Sequence, residues 1–212
     1  MIDIITKADF RSRTRDFQDM FRLRHRVFKE RLNWDVRSQH GLERDCFDDL
    51  DPQYIVAFDP TDRLVGTWRM LPTTGPYMLR DVFPILLDGM PAPRRPKTWE
   101  GSRLCVDCEY AGRLGLAALS QVTSQIFCAV VEFCIANGYD EVVTVYDARI
   151  DRLLPRLGCH PKWRSQQVRI GNTVTMAGRF DANRAVLRKM RGINGIRGSV
   201  IRYAPWKVEL AA

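Results

Sequence analysis

A long apolar helix between two strands is the feature that most limits how this chain can fold. Its apolar residues recur at the three- and four-residue intervals of one helix face: Leu119, Val122, Ile126, Val130 and Phe133. Gly138 is expected to end the helix. Strands are predicted on both sides, at 98–107 (TWEGSRLCVD) and at 141–146 (EVVTVY). Because helical crossovers join parallel strands, we expect these two strands to form a parallel pair.

The segments before this unit predict a hairpin and a helical N-terminal region. YIVAFD (54–59) and LVGTWRML (64–71) are predicted as strands of an antiparallel hairpin, joined by the turn PTDR. Residues 14–34 predict one helix or two short ones. Residues 72–97 contain six of the eleven prolines, which indicates a long surface excursion with one short helix at 80–88.

The C-terminal part alternates further helices and strands. ARIDRLLPRLG (148–158) predicts a helix that Pro155 kinks or restarts, because proline cannot continue a helical hydrogen-bond ladder. Two or three strands and the basic helix ANRAVLRKMRG (182–192) follow. The whole layout resembles acetyltransferase-like folds, which seat an acyl thioester between splayed parallel strands. We expect a single α/β domain over 1–212, with a mixed central sheet flanked by helices and a splayed parallel strand pair at the active site.

The loop before the long helix is a weak candidate for a phosphate-binding site. Acetyltransferase-like folds open this helix with a glycine-rich loop whose backbone N–H groups bind pyrophosphate. The corresponding segment here is EYAGRLGLA (109–117), with Gly112, Arg113 and Gly115. Its spacing fits the acetyltransferase pattern poorly.

Composition is that of a globular protein and favours an acidic partner. The 212 residues carry a net charge of +8, from 33 basic and 25 acidic side chains. Such a charge attracts nucleic acid, a phosphorylated cofactor or an acidic protein, and does not choose among them. Apolar runs such as IFCAVV (126–131) are too short to span a membrane. The N-terminal segment MIDIITKADF lacks a secretory signal. We expect a cytoplasmic location without membrane insertion.

The cysteine and histidine content supports neither a metal site nor a disulfide framework. Six cysteines in a chain of this size without a signal do not suggest a disulfide scaffold. Cys105 and Cys108 have the spacing of half a zinc site, but no second CxxC or HxxxH completes it. With only His25, His40 and His160, a Ser/His/Asp or Cys/His catalytic group is also poorly supplied. No metal and no cofactor are expected.

Four motifs in the first half of the chain carry the functional signal. FRLRHRVFKERLNW (21–34) places cations among aromatic residues, although an ordinary amphipathic helix has the same spacing. LERDCFDD (42–49), LVGTWRMLPTT (64–74) and TWEGSRLCVD (98–107) add paired carboxylates and further arginines. The motif residues are Arg24, Phe28, Trp34, Asp45, Asp48, Arg69, Pro72, Thr73, Glu100, Ser102 and Arg103. In order and spacing they resemble the bacterial acyl-homoserine-lactone synthases, the autoinducer synthases of quorum sensing.

The motif of this family runs Arg-x3-Phe-x5-Trp, Asp-x2-Asp, Arg-x2-Pro-Thr and Glu-x-Ser-Arg, and every position is filled here. The resemblance covers the first half of the chain strongly and the second half through its order of elements. It implies that the amine of S-adenosylmethionine attacks the thioester of acyl carrier protein, or of coenzyme A in some members. The methionine carboxylate then displaces 5′-methylthioadenosine and closes the lactone. S-adenosylmethionine is thus a substrate and not a cofactor.

The chemistry of S-adenosylmethionine suggests roles for the first motif. Phe28 and Trp34 can offer aromatic faces to the sulfonium cation, or enclose the adenosine. Arg24 or Arg103 can offer planar donors to the α-carboxylate. That carboxylate must later act as the nucleophile, and a full clamp would slow it. We therefore expect Arg24 to be shared with Asp45 or Asp48.

The acidic motif residues are given two different roles. Asp45 and Asp48 are interpreted as organisers of Arg24, Arg69 and Arg103; turn or cap residues are the alternative. Glu100 is the candidate base for the ammonium, directly or through a water, because desolvation raises the pKa of a strand carboxylate. A glutamate on a solvated strand face is the alternative. No residue is assigned to ring closure, since that step is intramolecular.

The acyl chain is expected between the strands at 98–107 and 141–146. The residues proposed to line its pocket are Met78, Phe83, Ser102, Leu104, Val143 and Thr144. Thr144 lies near the position where the resemblance implies a threonine associated with acyl chains that carry an oxygen at C3. Its hydroxyl could donate to that oxygen, although threonine is also ordinary in strands. Chain length and the choice between carrier protein and coenzyme A stay open.

Basic residues in the second half are candidates for docking the acidic acyl carrier protein, since complementary charge accelerates encounter. They are Arg149, Arg152, Arg184, Arg188 and Lys189. A solvated basic face is the alternative.

Two other functions compete with this one. A coenzyme A-dependent N-acyltransferase of the acetyltransferase superfamily would have a well-formed phosphate loop and no need for Arg24, Phe28 and Trp34. A basic nucleic-acid-binding module would carry a helix-turn-helix, zinc finger or aromatic sheet motif, and the sequence contains none.

Overall fold

The structure, a computed structural model, describes residues 1–109 and 116–204, except for the side chains of 116–119. The chain forms two compact units, each assembled from separate segments. The first unit comprises Met1–Arg69, Arg103–Ala129 and the described residues from Ser199 onward; the second comprises Met70–Ser102 and Val130–Gly198. The single domain over 1–212 stays a prediction.

The strands are β1 Ile2–Ile5, β2 Ser38–Gln39, β3 Leu42–Glu43, β4 Gln53–Phe58, β5 Leu64–Pro72, β6 Thr98–Val106, β7 Glu141–Asp147, β8 Pro161–Arg164, β9 Val168–Ile170, β10 Thr173–Asp181 and β11 Ile201–Tyr203. The α-helices are α1 Thr14–Arg24, α2 Met78–Asp81, α3 Leu116–Ala136, α4 Ala148–Asp151, α5 Leu154–Leu157 and α6 Arg184–Asn194. Shorter helical segments are the 3-10 helices Lys7–Asp9, Cys46–Asp49 and Pro84–Leu87 and the π-helix His25–Arg31.

The first unit packs α1 against a sheet. In that sheet β1 lies between β11, to which it is parallel, and β4, to which it is antiparallel. Buried side chains of α1 and β4 form the core beneath the helix: Phe17, Met20, Leu23, Tyr54, Val56 and Phe58. β1 and β11 were not predicted from the sequence, because strands of three or four residues carry too little periodicity.

The helix predicted at 14–34 is present in two pieces of different winding. After α1 the chain continues as the π-helix His25–Arg31, and Leu32 donates its N–H to the carbonyl of Val27, five residues earlier, at 3.0 Å. Arg24 and Phe28 are both buried on this stretch. π-helical turns are rare and frequently mark functional sites, so this winding fits a segment that positions motif residues.

The second unit contains the predicted parallel pair. β6 and β7 pair in parallel from Thr98 opposite Glu141 to Gly101 opposite Thr144. In the described residues this ladder ends there, although both strands continue, as expected for a splayed pair. β7 also pairs antiparallel with β10, which pairs with β8 and β9. The acetyltransferase-like mixed sheet predicted from the sequence is therefore confirmed.

The long helix α3 packs on the sheet of each unit. In the first unit Gly66 lets the helix approach, since a Cβ there would lie 2.6 Å from Cδ1 of Ile126. In the second unit Phe133 packs edge-on against Trp99, with ring centroids 5.3 Å apart. Gly138 follows the helix with φ of +71°, as predicted. In the candidate phosphate loop EYAGRLGLA, residues 110–115 lie outside the described residues.

The proline-rich excursion holds two helical turns instead of the one helix expected at 80–88, namely α2 and the 3-10 helix Pro84–Leu87. Pro155 stands in the first turn of α5 and restarts the chain after α4, which is one of the two outcomes expected for it. In the part of the chain that the structure describes, no helix combines the length and apolar character needed to cross a membrane.

Candidate active site

The spacing of Asp45 and Asp48 has a local cause. Asp45 precedes the 3-10 helix Cys46–Asp49, and its Oδ1 accepts the N–H of Phe47 at 3.0 Å. In return, Oδ2 of Asp48 accepts the N–H of Asp45 at 2.9 Å, which completes a capping box. This reciprocal bonding fixes both carboxylates, so each can also bind arginine.

Arg24 is held by two carboxylates deep inside the first unit. Its two terminal nitrogens donate to the two oxygens of Asp48 at 2.8 and 2.9 Å, and its Nε donates to Oε2 of Glu43 at 2.5 Å. All three side chains are essentially inaccessible. The expectation that Arg24 is shared with one of the two aspartates is therefore met by Asp48. Because Arg24 is inaccessible, its guanidinium donors are directed to these buried carboxylates and not to the surface.

Arg69 and Arg103 complete the network from neighbouring strands. Arg69 donates to Oδ1 of Asp45 at 2.5 Å and to Oδ1 of Asp48 at 3.0 Å. Arg103 donates to Oε1 of Glu43 at 3.0 Å, and its Nη2 lies 2.8 Å from Oδ2 of Asp45. Arg103 also has φ of +59°, a conformation that costs a non-glycine residue about 1–2 kcal/mol. The surrounding ion pairs hold it there.

Glu43 is the main network residue that the sequence motifs did not predict. It lies on β3, is fully buried, and joins Arg24 to Arg103 through its two oxygens. Tyr54 was missed as well; its hydroxyl donates to Oδ1 of Asp48 at 2.8 Å. Glu43 stands two residues before Asp45 in the quoted stretch LERDCFDD, so its acidic neighbours were the available signal.

The network is electrically balanced. Three arginines face three carboxylates: Arg24, Arg69 and Arg103 against Glu43, Asp45 and Asp48. Burial disfavours the charged form of Asp48, but the guanidinium groups of Arg24 and Arg69 outweigh it and hold the pKa of Asp48 well below its ordinary value. Burial beside this carboxylate raises the pKa of Tyr54, so its hydroxyl stays protonated.

Aromatic rings lie against each of the three arginines. The guanidinium carbon of Arg24 lies 5.2 Å from the ring centroid of Phe21. That of Arg69 lies 5.5 Å from the ring of Phe47, and that of Arg103 lies 5.6 Å from the ring of Phe28. Phe28 also stacks on Trp34, with centroids 5.2 Å apart and planes at 14°. Phe28 is buried and Trp34 is partly exposed. Of the two predicted aromatic residues, Trp34 thus has the more accessible surface.

Glu100 lies in the second unit, on β6, and is fully buried. Its two oxygens accept the backbone N–H groups of Met78 and Leu79 at 2.9 and 2.7 Å. The carboxylate therefore fixes the first turn of α2. The alternative of a solvated strand face does not apply, because Glu100 is inaccessible.

The predicted pocket residues differ in exposure. Met78, Ser102, Val143 and Thr144 of the second unit are buried there, whereas Phe83 is partly exposed. The hydroxyl of Thr144 has a weak contact of 3.5 Å to the carbonyl of Val145. Leu104 belongs to the first unit and is partly exposed. A role for these six residues in binding an acyl chain stays a prediction.

The predicted docking residues all lie at the surface of the second unit. Arg149 is paired with Asp147 through several short contacts. The others are exposed and have no ion pair among the described residues: Arg152, Arg184, Arg188 and Lys189. Their positive charge is thus available to a partner.

The described residues contain no group of three His, Cys, Asp or Glu side chains that could hold a metal ion. All six cysteines are free thiols. Burial raises the pKa of the Cys105 thiol to about 12, so it is not a nucleophile at neutral pH.

Comparison with known proteins decides between the candidate functions. A family model described as autoinducer synthase matches residues 8–190. The chain belongs to the autoinducer synthase family. It is 38% identical to the acyl-homoserine-lactone synthase of Agrobacterium fabrum over 86% of this chain and 87% of that protein. The protein is accordingly an acyltransferase that makes an acyl-homoserine lactone from S-adenosylmethionine and an acyl thioester.

Solved structures of autoinducer synthases share the fold. The acyl-homoserine-lactone synthase LasI is 31% identical, with a TM-score of 0.78 over 91% of this chain and 94% of that chain. The coenzyme A-dependent synthase BjaI, solved with S-adenosylmethionine and isopentyl-CoA, is 30% identical, with a TM-score of 0.81 over 96% and 93%. The resemblance read from the four motifs is thereby confirmed.

Proposed function

We propose that the buried arginine–carboxylate network of the first unit holds the methionine end of S-adenosylmethionine in this synthase. The observation that carries the proposal is that some side chains of the network are inaccessible to solvent while others are partly exposed. Arg24, Glu43 and Asp48 are inaccessible, whereas the side chains of Arg103 and Asp45 are 11% and 15% exposed. Arg103 can therefore offer N–H donors to the α-carboxylate, and Asp45 can accept from the ammonium.

The contacts that Arg103 already makes support this assignment. A carboxylate that must later displace 5′-methylthioadenosine cannot be tied into a strong bidentate clamp. Arg103 already donates to Glu43 and forms an ion pair with Asp45, and these contacts limit how strongly it can bind a further carboxylate. The carboxylate is thus oriented but keeps its nucleophilicity, and ring closure then profits from proximity.

Trp34 is proposed to face the sulfonium or the adenosine, because an aromatic face attracts a cation that cannot accept hydrogen bonds. Phe28 supports Trp34 from behind through the stacked contact. Phe28 therefore acts on the substrate through the ring it positions.

Glu100 is proposed to take the proton that the ammonium must lose before it attacks the thioester. Its oxygens accept backbone N–H groups of Met78 and Leu79, and a carboxylate oxygen can accept more than one hydrogen bond. Because backbone donors of α2 already engage both oxygens, a bound water is the expected carrier of the proton.

The acyl donor is proposed to be an acyl carrier protein. The support is the exposed basic set Arg152, Arg184, Arg188 and Lys189, which suits an acidic protein and is larger than a small nucleotide thioester needs. The reaction is proposed to take place in the cytoplasm, with S-adenosylmethionine as substrate and no cofactor.

The proposal is tested by incubating the protein with S-adenosylmethionine and acyl thioesters of graded chain length, carried by acyl carrier protein or by coenzyme A. Release of 5′-methylthioadenosine together with an acyl lactone is expected. An ordinary N-acyltransferase would release thiol without 5′-methylthioadenosine. Absence of 5′-methylthioadenosine with both donor types at every chain length would defeat the proposal.

A further inference from the structure

A short segment of the second unit presents several large apolar side chains to solvent. Val82, Ile85 and Met90 are 48%, 63% and 45% exposed, although they lie within nine residues of one another. Ile85 has the greatest exposure of any large hydrophobic side chain in the described residues. Single exposed apolar residues are ordinary, but a cluster of them usually marks an interaction surface.

This apolar cluster stands on an ordered backbone. The N–H of Phe83 donates to the carbonyl of Met78 at 2.9 Å, and that of Met90 donates to Leu87 at 2.9 Å. Leu86 and Leu87 are buried and anchor the 3-10 helix to its unit. The turn therefore projects Ile85 outward while its neighbours hold the segment in place.

A basic run follows the apolar cluster directly. The sequence PRRPK (93–97) contains Arg94, Arg95 and Lys97, all exposed. The backbone of the run is held at two points: the Tyr77 hydroxyl donates to the carbonyl of Pro93 at 2.6 Å, and the Thr73 hydroxyl donates to the carbonyl of Arg95 at 3.0 Å.

Little negative charge offsets this run. Over residues 78–97 the cations are Arg80, Arg94, Arg95 and Lys97 and the anions are Asp81 and Asp88, which leaves +2. Asp81 is occupied by Arg80. Lys97 reaches Asp140 only at 3.7 Å with both side chains about two-thirds exposed, so solvent screens that pair. Arg94 and Arg95 have no ion pair among the described residues.

We propose that residues 82–97 form a peripheral binding surface for an anionic lipid bilayer. Apolar side chains at the boundary of the acyl layer, beside arginine and lysine at the level of the headgroups, are the combination by which proteins bind an interface without crossing it. The sequence predicts no membrane insertion because it lacks a long apolar run. Peripheral binding through a short surface cluster requires no such run.

The test is cosedimentation of the full chain with vesicles of phosphatidylcholine and phosphatidylglycerol at a ratio of about 3:1. Binding is expected at low salt, with at least a fivefold loss on vesicles of phosphatidylcholine alone. Ile85→Asp and the double change Arg94→Glu with Arg95→Glu should each reduce the bound fraction at least fivefold. Leu153→Asp is the matched control: Leu153 is 40% exposed elsewhere in the same unit, and its replacement should leave binding unchanged.

Several results would overturn the proposal. The first is equal binding to both vesicle types, or no binding at all. The second is that the Ile85→Asp variant binds the vesicles as well as the parent does, while its thermal midpoint shows that it is equally well folded. If Ile85→Asp instead dissociates a dimer in sedimentation velocity, the surface belongs to a second copy. If it raises only the KM for an acyl carrier protein, the surface belongs to that partner.

Discussion

Asp48 binds Arg24 with both carboxylate oxygens, at 2.8 and 2.9 Å, where neither side chain is accessible to water. Breaking a buried pair on one side leaves an uncompensated charge, which typically costs about 3–5 kcal/mol. The pair therefore ties the stability of the first unit to the geometry of its candidate site.

The acid stability of the protein should depend on Asp48. Its pKa is depressed in the folded state, because Arg24 and Arg69 outweigh the cost of burial. Stabilisation is therefore complete above the unfolded pKa of about 3.9 and is lost as pH falls below it. We expect the free energy of unfolding, measured in urea between pH 7 and pH 3, to fall less for Asp48→Asn than for the parent. At pH 7 the variant should be less stable by about 3–5 kcal/mol.

Asp49→Asn is the control for that experiment. Asp49 pairs with Arg44 at the surface, one residue away, so its loss should change stability by less than about 1 kcal/mol. If both substitutions changed the free energy of unfolding equally, burial of the Arg24–Asp48 pair would not contribute to stability.

Arg103→Lys should weaken binding of S-adenosylmethionine. Lysine keeps the charge but lacks the planar fork that reaches Glu43 and Asp45 together. We expect the KM for S-adenosylmethionine to rise about tenfold, which corresponds to about 1.4 kcal/mol, with a smaller change in kcat. Arg26→Lys is the matched control, since Arg26 pairs with Asp107 outside the network. A fall in kcat at constant KM would place Arg103 in the chemical step instead.

Glu100→Gln should lower kcat about 100-fold or more, the usual range for loss of a general base. The amide also turns an N–H group toward one of the two backbone donors of α2, so some thermal stability is lost as well. The pH dependence separates the two effects. Without a base, the rate of the variant should keep rising with pH as the substrate ammonium deprotonates in solution. A constant ratio to the parent at every pH would mean that Glu100 only positions α2.

Reversing Arg188 and Lys189 to Glu should raise the KM for acyl carrier protein substrates about tenfold and leave the KM for S-adenosylmethionine unchanged, because steering acts on the acidic partner alone. Activity with acyl-coenzyme A serves as a control, because it shows whether the substitutions impair folding or catalysis independently of the carrier protein. Arg11→Glu with Arg15→Glu reverses two exposed arginines of the first unit and should have no effect. An equal response of both substrates would remove the docking role.

Much of the site could be predicted because its residues sit at fixed spacings in ordered elements. Asp45 and Asp48 are three apart because a capping box requires that spacing. Glu43 escaped prediction, because its role depends on Arg24 and Arg103, which are distant from it in sequence and come together only in the fold. Glu100 was predicted as a base, but its contact with the backbone of α2 could not be foreseen, since it spans more than twenty residues.

The sequence by itself determined the period of the long helix, the hairpin, the parallel pair and the identity of the motif residues, because these depend on local spacing. Only the tertiary structure decided which arginine meets which carboxylate, which of them stay accessible, and that apolar and basic side chains share one exposed segment. Ion pairing and burial are set by distances between segments far apart in the chain, and a linear pattern carries no measure of those distances.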